Sequence, residues 1–331
     1  MKTNWIVVIF LISLTLAGTF IPPSSASQEK PLVVTTIAPL AGIISDAFGD
    51  RVDVVYIIPP GADPHEYQLT SSQIELLRRA DVIVTTGGHL PLERKIAELK
   101  GEGTIEGEVL FLEDYKREGF RYLKEHWYHE KDNPHGVWLD PNNALAIASA
   151  TGRALQRSDP ASAKVYGQEY RIFEERVRTI MHSYLALVGE NATAVIQMPP
   201  DQYAVEWLGV RVVASIKPEE EVPAKGIDDL VPVARNVDLI VYALDSPEQL
   251  KEAARELALK SGKPLAEITV FWSDRPYTEV LIENSASIVR ALGGKGSTGV
   301  PTGQEDFTDY VLVSLVVGVV LGTALGVILK K

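Results

Sequence analysis

VDVVYIIPPGADPHEYQLTSSQIELLRRADVIVTTG, residues 52–87, decides the fold class. Val52–Ile58 and Asp81–Thr85 are short β-branched runs with little polar alternation. Runs of that kind suit strands covered on both faces, as in a parallel sheet. Between them, Thr70-Ser71-Ser72-Gln73 has the form of a capping box and predicts a helix ending near Arg79. Strand, helix, strand is the crossover unit that parallel pairing requires.

The same alternation continues on either side. Leu32–Thr35 and Val109–Leu112 complete a first set of four predicted strands. Ala194–Gln197, Arg211–Ile216, Asp238–Tyr242 and Ile268–Phe271 form a second set. Pro247 to Ser261, with Gly262 beyond it, reads as a helix with its stop signal. Two α/β lobes are therefore expected, residues 27–158 and 189–292, with helix 159–188 linking them. In that helix Tyr166, Tyr170, Phe173, Val177, Ile180, Tyr184 and Leu187 repeat at steps of four and three. From Ala161 to Leu187 it would run ~40 Å, enough to pass from one lobe to the other.

The ends of the 331-residue chain point to a membrane. Lys2, an apolar run from Trp5 to Ile21, and small residues up to Ala26 describe a secretory signal peptide, residues 1–26. Tyr310 to Leu329 is uncharged and, at ~1.5 Å per residue, spans ~30 Å, a bilayer's hydrocarbon thickness. Residues 310–329 thus read as a C-terminal transmembrane anchor. Lys330-Lys331 hold its end in the cytoplasm, and residues 293–309 serve as a flexible tether. The body is expected outside the cell membrane, held at its outer face.

Acidic residues dominate, 44 Asp+Glu against 32 Lys+Arg, for a net charge of −12. That balance argues against nucleic acid, which is bound through clustered cations. No cysteine is present. Disulfides, thiolate metal sites, a Cys nucleophile and lipid attachment through Cys are excluded within these residues. A metal ion would have to be held by His, carboxylate, Met or backbone oxygen.

Three such residues stand at loop tips after predicted strands. His65 follows a loop containing Pro59, Pro60 and Pro64, which restrict its freedom. His135 lies in Asn133-Pro134-His135-Gly136, again beside a proline and just before a helix. Asp274 follows the last predicted strand in Phe271-Trp272-Ser273-Asp274. Loops after strand C-termini line the ligand crevice of open α/β sheets. Two His and one Asp there could form a nitrogen and oxygen metal site.

Residues 31–292 resemble the metal-binding solute receptors of ABC importers, the zinc and manganese family. The resemblance is carried by VVTTIAPLAGII (33–44), PPGADPHEYQLTSSQIELLRRADVIVTTG (59–87) and NPHGVWLDPNNALAIA (133–148). It implies two parallel-sheet α/β lobes joined by one long helix, with a metal site in the cleft between them. His65 and His135 match the family's first two ligands, and Asp274 matches its late Asp ligand. The implied function is non-catalytic: capture of a divalent transition metal ion, Zn²⁺ or Mn²⁺, and delivery to an ABC permease driven by its ATPase.

This chain departs from the family pattern in two places. Gly136-Val137 puts two residues between the second His and Trp138, where the family has one. At the third ligand position, five residues before Tyr203, stands Met198 instead of His or Glu. Asp201 or Gln197 could supply an oxygen, Met198 could bind a softer ion, or water could fill the place. His89 also follows a strand end, but the family pattern gives no ligand there. His126-Trp127-Tyr128-His129 reads as a solvated loop in preference to a metal-capturing one, and His182 as structural. The competing functions are a metal-dependent hydrolase and a surface-interaction protein that kept the fold but lost the metal. No HExxH, GxSxG or Gly-rich phosphate loop supports the hydrolase.

Overall fold

A computed structural model describes residues 30–59, 61–218 and 224–293. The expected signal peptide, tether and C-terminal anchor lie outside these residues. Among the described residues no helix is long and apolar enough to cross a membrane.

The chain divides into two compact units. Unit 1 holds the described residues up to Lys124, then Asp132–Thr179 and Thr269–Leu281. Unit 2 holds Glu125–Lys131, Ile180–Ile268 and the described residues from Ile282.

In chain order, unit 1 begins with β1 (Leu32–Ile37), α1 (Ala38–Phe48), β2 (Asp53–Ile58), α2 (Ser71–Arg79), β3 (Val82–Val84), α3 (Pro91–Gly101), β4 (Glu108–Leu110) and α4 (Leu112–Lys116). Its four strands lie in the order β2-β1-β3-β4, every pair parallel. Val33, Val34, Val82, Ile83 and Val84 are fully buried, as both-face coverage requires. The capping box forms as expected: Thr70 Oγ1 accepts from the Gln73 backbone, and Gln73 Oε1 accepts from the Thr70 backbone.

A two-stranded ribbon, β5 (Leu123–Glu125) and β6 (Lys131–Asn133), follows; the sequence reading missed it. Then come α5 (Pro141–Ser158) and α6 (Ala163–Leu185). The long helix is shorter than expected at both ends: Pro160–Ser162 is a 3₁₀ turn, and Leu187 lies exposed beyond the C-terminus. Tyr166, Phe173, Val177 and Tyr184 of the apolar stripe are buried. The division between Thr179 and Ile180 falls within α6.

Unit 2 continues with β7 (Thr193–Ile196), α7 (Asp201–Glu206), β8 (Arg211–Ser215), α8 (Ile227–Ala234), β9 (Leu239–Ala243), α9 (Glu248–Ser261) and β10 (Leu265–Ile268). Its sheet runs β10-β9-β7-β8, also all parallel. The last strand corrects the sequence reading, which placed it at Ile268–Phe271. Pairing with β9 ends at Ile268 opposite Ala243, and the chain then passes into unit 1. Val270 and Trp272 are buried there through other contacts. Helix α10 (Tyr277–Ala291) closes the described chain.

Candidate metal centre

His65 and His135 are positioned by one local device used twice. Asp63-Pro64-His65 and Asn133-Pro134-His135 are both Asx-Pro-His turns. Asp63 Oδ1 accepts the His65 N–H at 2.8 Å, and Asn133 Oδ1 accepts the His135 N–H at 2.9 Å. The side chain closes the turn and proline fixes φ at its centre, so each imidazole leaves a restrained backbone. Both histidines belong to unit 1.

The extra residue after His135 is absorbed locally. Gly136 takes φ +78°, a left-handed conformation costly for residues with a Cβ, and Val137–Leu139 then form a 3₁₀ turn. Trp138 emerges buried, with Nε1 donating to the Val270 carbonyl at 2.8 Å. Asp140 caps α5 through the Asn142 N–H at 2.8 Å.

The two imidazoles lie together, with ring centroids 5.6 Å apart. A third ring completes a triangle. His89 is 5.6 Å from His135 and 6.2 Å from His65, again centroid to centroid. All three rings are half-buried. His65 comes from the loop after β2 and His89 from the loop after β3, so the carboxyl edge of one sheet gathers them. Among the described residues no group of three or more His, Cys, Asp or Glu side chains stands, as placed, where it could hold a metal ion.

His89 was not expected as a ligand. Its surroundings are built. Glu93, in the first turn of α3, is fully buried and accepts from Thr36 Oγ1, Thr86 N, Thr86 Oγ1 and Gly88 N at 2.6–2.9 Å. Burial pushes its carboxyl upward, while these hydrogen bonds pull it back down. Thr86 Oγ1 also stands 3.0 Å from His89 Nδ1. One residue upstream, Tyr115 accepts from Thr85 N at 3.1 Å and donates to Thr85 O at 2.9 Å, fixing the end of β3. The sequence signal was Gly87-Gly88-His89 after a strand, with an acidic residue one helical turn further on.

Asp274 sits in unit 1, exposed, with φ +55°. Its segment packs closely on α1: a Cβ at Gly42 would fall 2.5 Å from Trp272 Nε1 and 2.9 Å from the Arg275 carbonyl. Only glycine fits under that crossing.

The candidates for the third ligand lie in unit 2. Met198 is half-buried. Asp201 is fully buried, and Oδ2 accepts from Gln197 N and Met198 N, each at 3.1 Å. Oδ1 of Asp201 has no hydrogen-bond partner. Burial chiefly pushes the Asp201 carboxyl up to about 8. Gln197 Oε1 accepts from Ala243 N at 3.1 Å. Gln197 and Asp201 thus already hold the backbone around β7.

The remaining histidines lie elsewhere. His126 bonds Glu130 at 2.9 Å on an exposed turn, and Trp127 donates to the Pro218 carbonyl at 3.2 Å. His129 and His182 are exposed.

Comparison with known proteins gives a consistent picture. The family model described as Zinc-uptake complex component A periplasmic (ZnuA) matches residues 33–291. Among curated proteins, the metal ABC transporter substrate-binding lipoprotein ScbA of Streptococcus cristatus is 25% identical over 194 residues, 54% of this chain and 59% of that protein. The manganese ABC transporter substrate-binding lipoprotein PsaA of Streptococcus pneumoniae is 26% identical over 170 residues, 46% of this chain and 50% of that one. The chain therefore spans little more than half the length of these curated relatives. Among solved structures, the solute-binding protein FpvC of Pseudomonas aeruginosa, in complex with Mn²⁺, aligns with TM-score 0.65 at 24% identity. It covers 81% of this chain and 100% of its own. A crystal structure of ZnuA aligns with TM-score 0.65 at 17% identity, over 80% of this chain and 100% of its own. These alignments establish the two-sheet α/β fold.

Proposed function

We propose, from the premise that this chain belongs to the periplasmic zinc-uptake component A family, that it is an extracytoplasmic receptor for a divalent transition metal ion. It captures the ion through His65 and His135 and delivers it to the permease of an ABC importer, whose ATPase drives transport. The observation that carries this reading is the pair of Asx-Pro-His turns that bring two imidazoles within 5.6 Å. Neutral imidazole suits zinc and its neighbours in the transition series. The relatives' names, substrate-binding proteins, support a receptor that binds without catalysis. Asp274 serves as an oxygen ligand in the same unit. Met198 and Asp201 remain the unit 2 candidates.

Several relatives are named lipoproteins, but the present sequence has no cysteine to carry a lipid. The uncharged Tyr310–Leu329 segment would hold the receptor at the outer face of the membrane in its place. Tethering raises the receptor's effective concentration near the permease.

Metal analysis of the full-length chain, purified without chelator and then dialysed, tests the reading. About one equivalent of transition metal, lost together in the His65→Ala and His135→Ala variants, supports it. A metal-free chain that also fails to take up added Zn²⁺ or Mn²⁺ refutes it.

A further inference from the structure

We propose that His89 is a metal ligand, so that unit 1 alone supplies three imidazoles: His65, His89 and His135. This rests on the receptor reading above and names the ligand set and the class of ion. Zinc–nitrogen distances of about 2.0–2.1 Å place the ring centroids of three imidazoles on one tetrahedral ion about 5 Å apart. The observed separations are 5.6, 5.6 and 6.2 Å. They exceed that spacing by about 1 Å or less, a gap that small rotations within the imidazole χ wells can close.

A chain of hydrogen bonds selects the ligating nitrogen. The buried Glu93 carboxylate accepts the hydrogen bond that the Thr86 hydroxyl donates, with Thr86 Oγ1 2.9 Å from both carboxylate oxygens. Thr86 Oγ1 then has only lone pairs to offer and accepts from His89 Nδ1–H at 3.0 Å. The lone pair of the neutral ring is thereby placed on Nε2. Carboxylate, hydroxyl and imidazole in series both orient a ligand and raise its basicity. Glu93 and Thr86 are positioning residues in this scheme.

The inference changes the expected cargo. Three imidazoles favour Zn²⁺, Ni²⁺ or Cu²⁺ over Mn²⁺, which prefers oxygen ligands. It also removes the need for a ligand at Met198.

X-ray absorption on the zinc-loaded full-length chain counts imidazoles directly, alongside zinc and manganese titrations. Three imidazoles are expected in the wild type and two in His89→Gln. Zinc affinity in His89→Gln should fall by at least the ~10–100-fold that loss of an outer hydrogen-bond partner costs. Thr86→Val should weaken zinc by ~10–100-fold, and Thr86→Ser, which keeps the hydroxyl, should restore it. Unfolding of each apo variant in chelator separates misfolding from ligand loss. If His89→Gln does not fold, the wild-type count still decides. Two imidazoles in a wild type that binds zinc would overturn the His89 assignment and leave the receptor reading intact. A wild type that binds neither metal would overturn both.

Discussion

Trp138 Nε1 donates to the Val270 carbonyl at 2.8 Å, joining the turn that carries His135 to the segment that carries Asp274. The two residues stand 132 positions apart in the chain. Trp138 also packs against Phe271, with ring centroids 5.1 Å apart. One indole therefore sets the position of a histidine turn and of the strand exit leading to the acidic candidate. Trp138→Phe keeps most of the packing and removes the indole donor to a buried carbonyl, at a cost of about 0.5–1.5 kcal/mol. Urea unfolding of the metal-free chain should show that loss, and metal affinity should fall with it. Unchanged stability and affinity would mean that the indole N–H does not hold the two segments.

The paired Asx turns yield a second expectation. Asp63→Ala and Asn133→Ala remove the acceptors for the His65 and His135 N–H groups and should cost about 0.5–1.5 kcal/mol each. Asn133 is buried, so its variant should lie at the upper end. Asp63→Asn and Asn133→Asp keep an oxygen in place and should retain metal affinity better than the alanine variants. Equal affinity in all four variants would dissociate the turns from the site.

Much of this arrangement was legible in the sequence, for identifiable reasons. Strands buried on both faces, such as Val82–Val84, write continuous apolar runs, and Thr70–Gln73 writes its own cap. The misplaced strand had the opposite cause. Leu265–Ile268 includes exposed Glu267, while the more apolar Val270 and Phe271 owe their character to Trp138 in unit 1. The ribbon at Leu123–Glu125 and Lys131–Asn133 is largely charged and carries no apolar period. His65 and His135 were marked by flanking prolines. His89 has no such mark, because its positioning comes from Glu93 and Thr86 through tertiary hydrogen bonds.

Asp201 makes stability depend on pH. Its buried carboxyl is pushed up to about 8, mainly by burial, while the Gln197 and Met198 N–H groups oppose the shift and Asp245 adds to it. A free Asp titrates near ~3.9, so the folded state holds this proton more tightly than the unfolded chain. The stabilisation is therefore full below about pH 4 and is lost as pH rises through about 8. The slope can reach about 1.4 kcal/mol per pH unit for one proton. Unfolding of the metal-free chain between about pH 5 and 8 should show this decline, and Asp201→Asn should flatten it. An identical slope in Asp201→Asn would place the titrating group elsewhere.

The C-terminal segment can be tested by fractionation. We expect the full-length chain to stay in the membrane pellet through an alkaline carbonate wash. A chain stopped after Gly293 should move to the aqueous fraction. Full-length protein washed into solution would remove the anchor from the receptor reading.

Calorimetric zinc titration of the wild type, His65→Ala, His135→Ala and His182→Ala tests the receptor assignment most directly. His182 is exposed on α6 and serves as the control. We expect near-stoichiometric binding by the wild type and His182→Ala, and loss well beyond about 10–100-fold in the other two, since a direct ligand costs more than an outer one. Equal affinity in all four proteins, or equal loss in all three variants, would contradict a metal site built on His65 and His135.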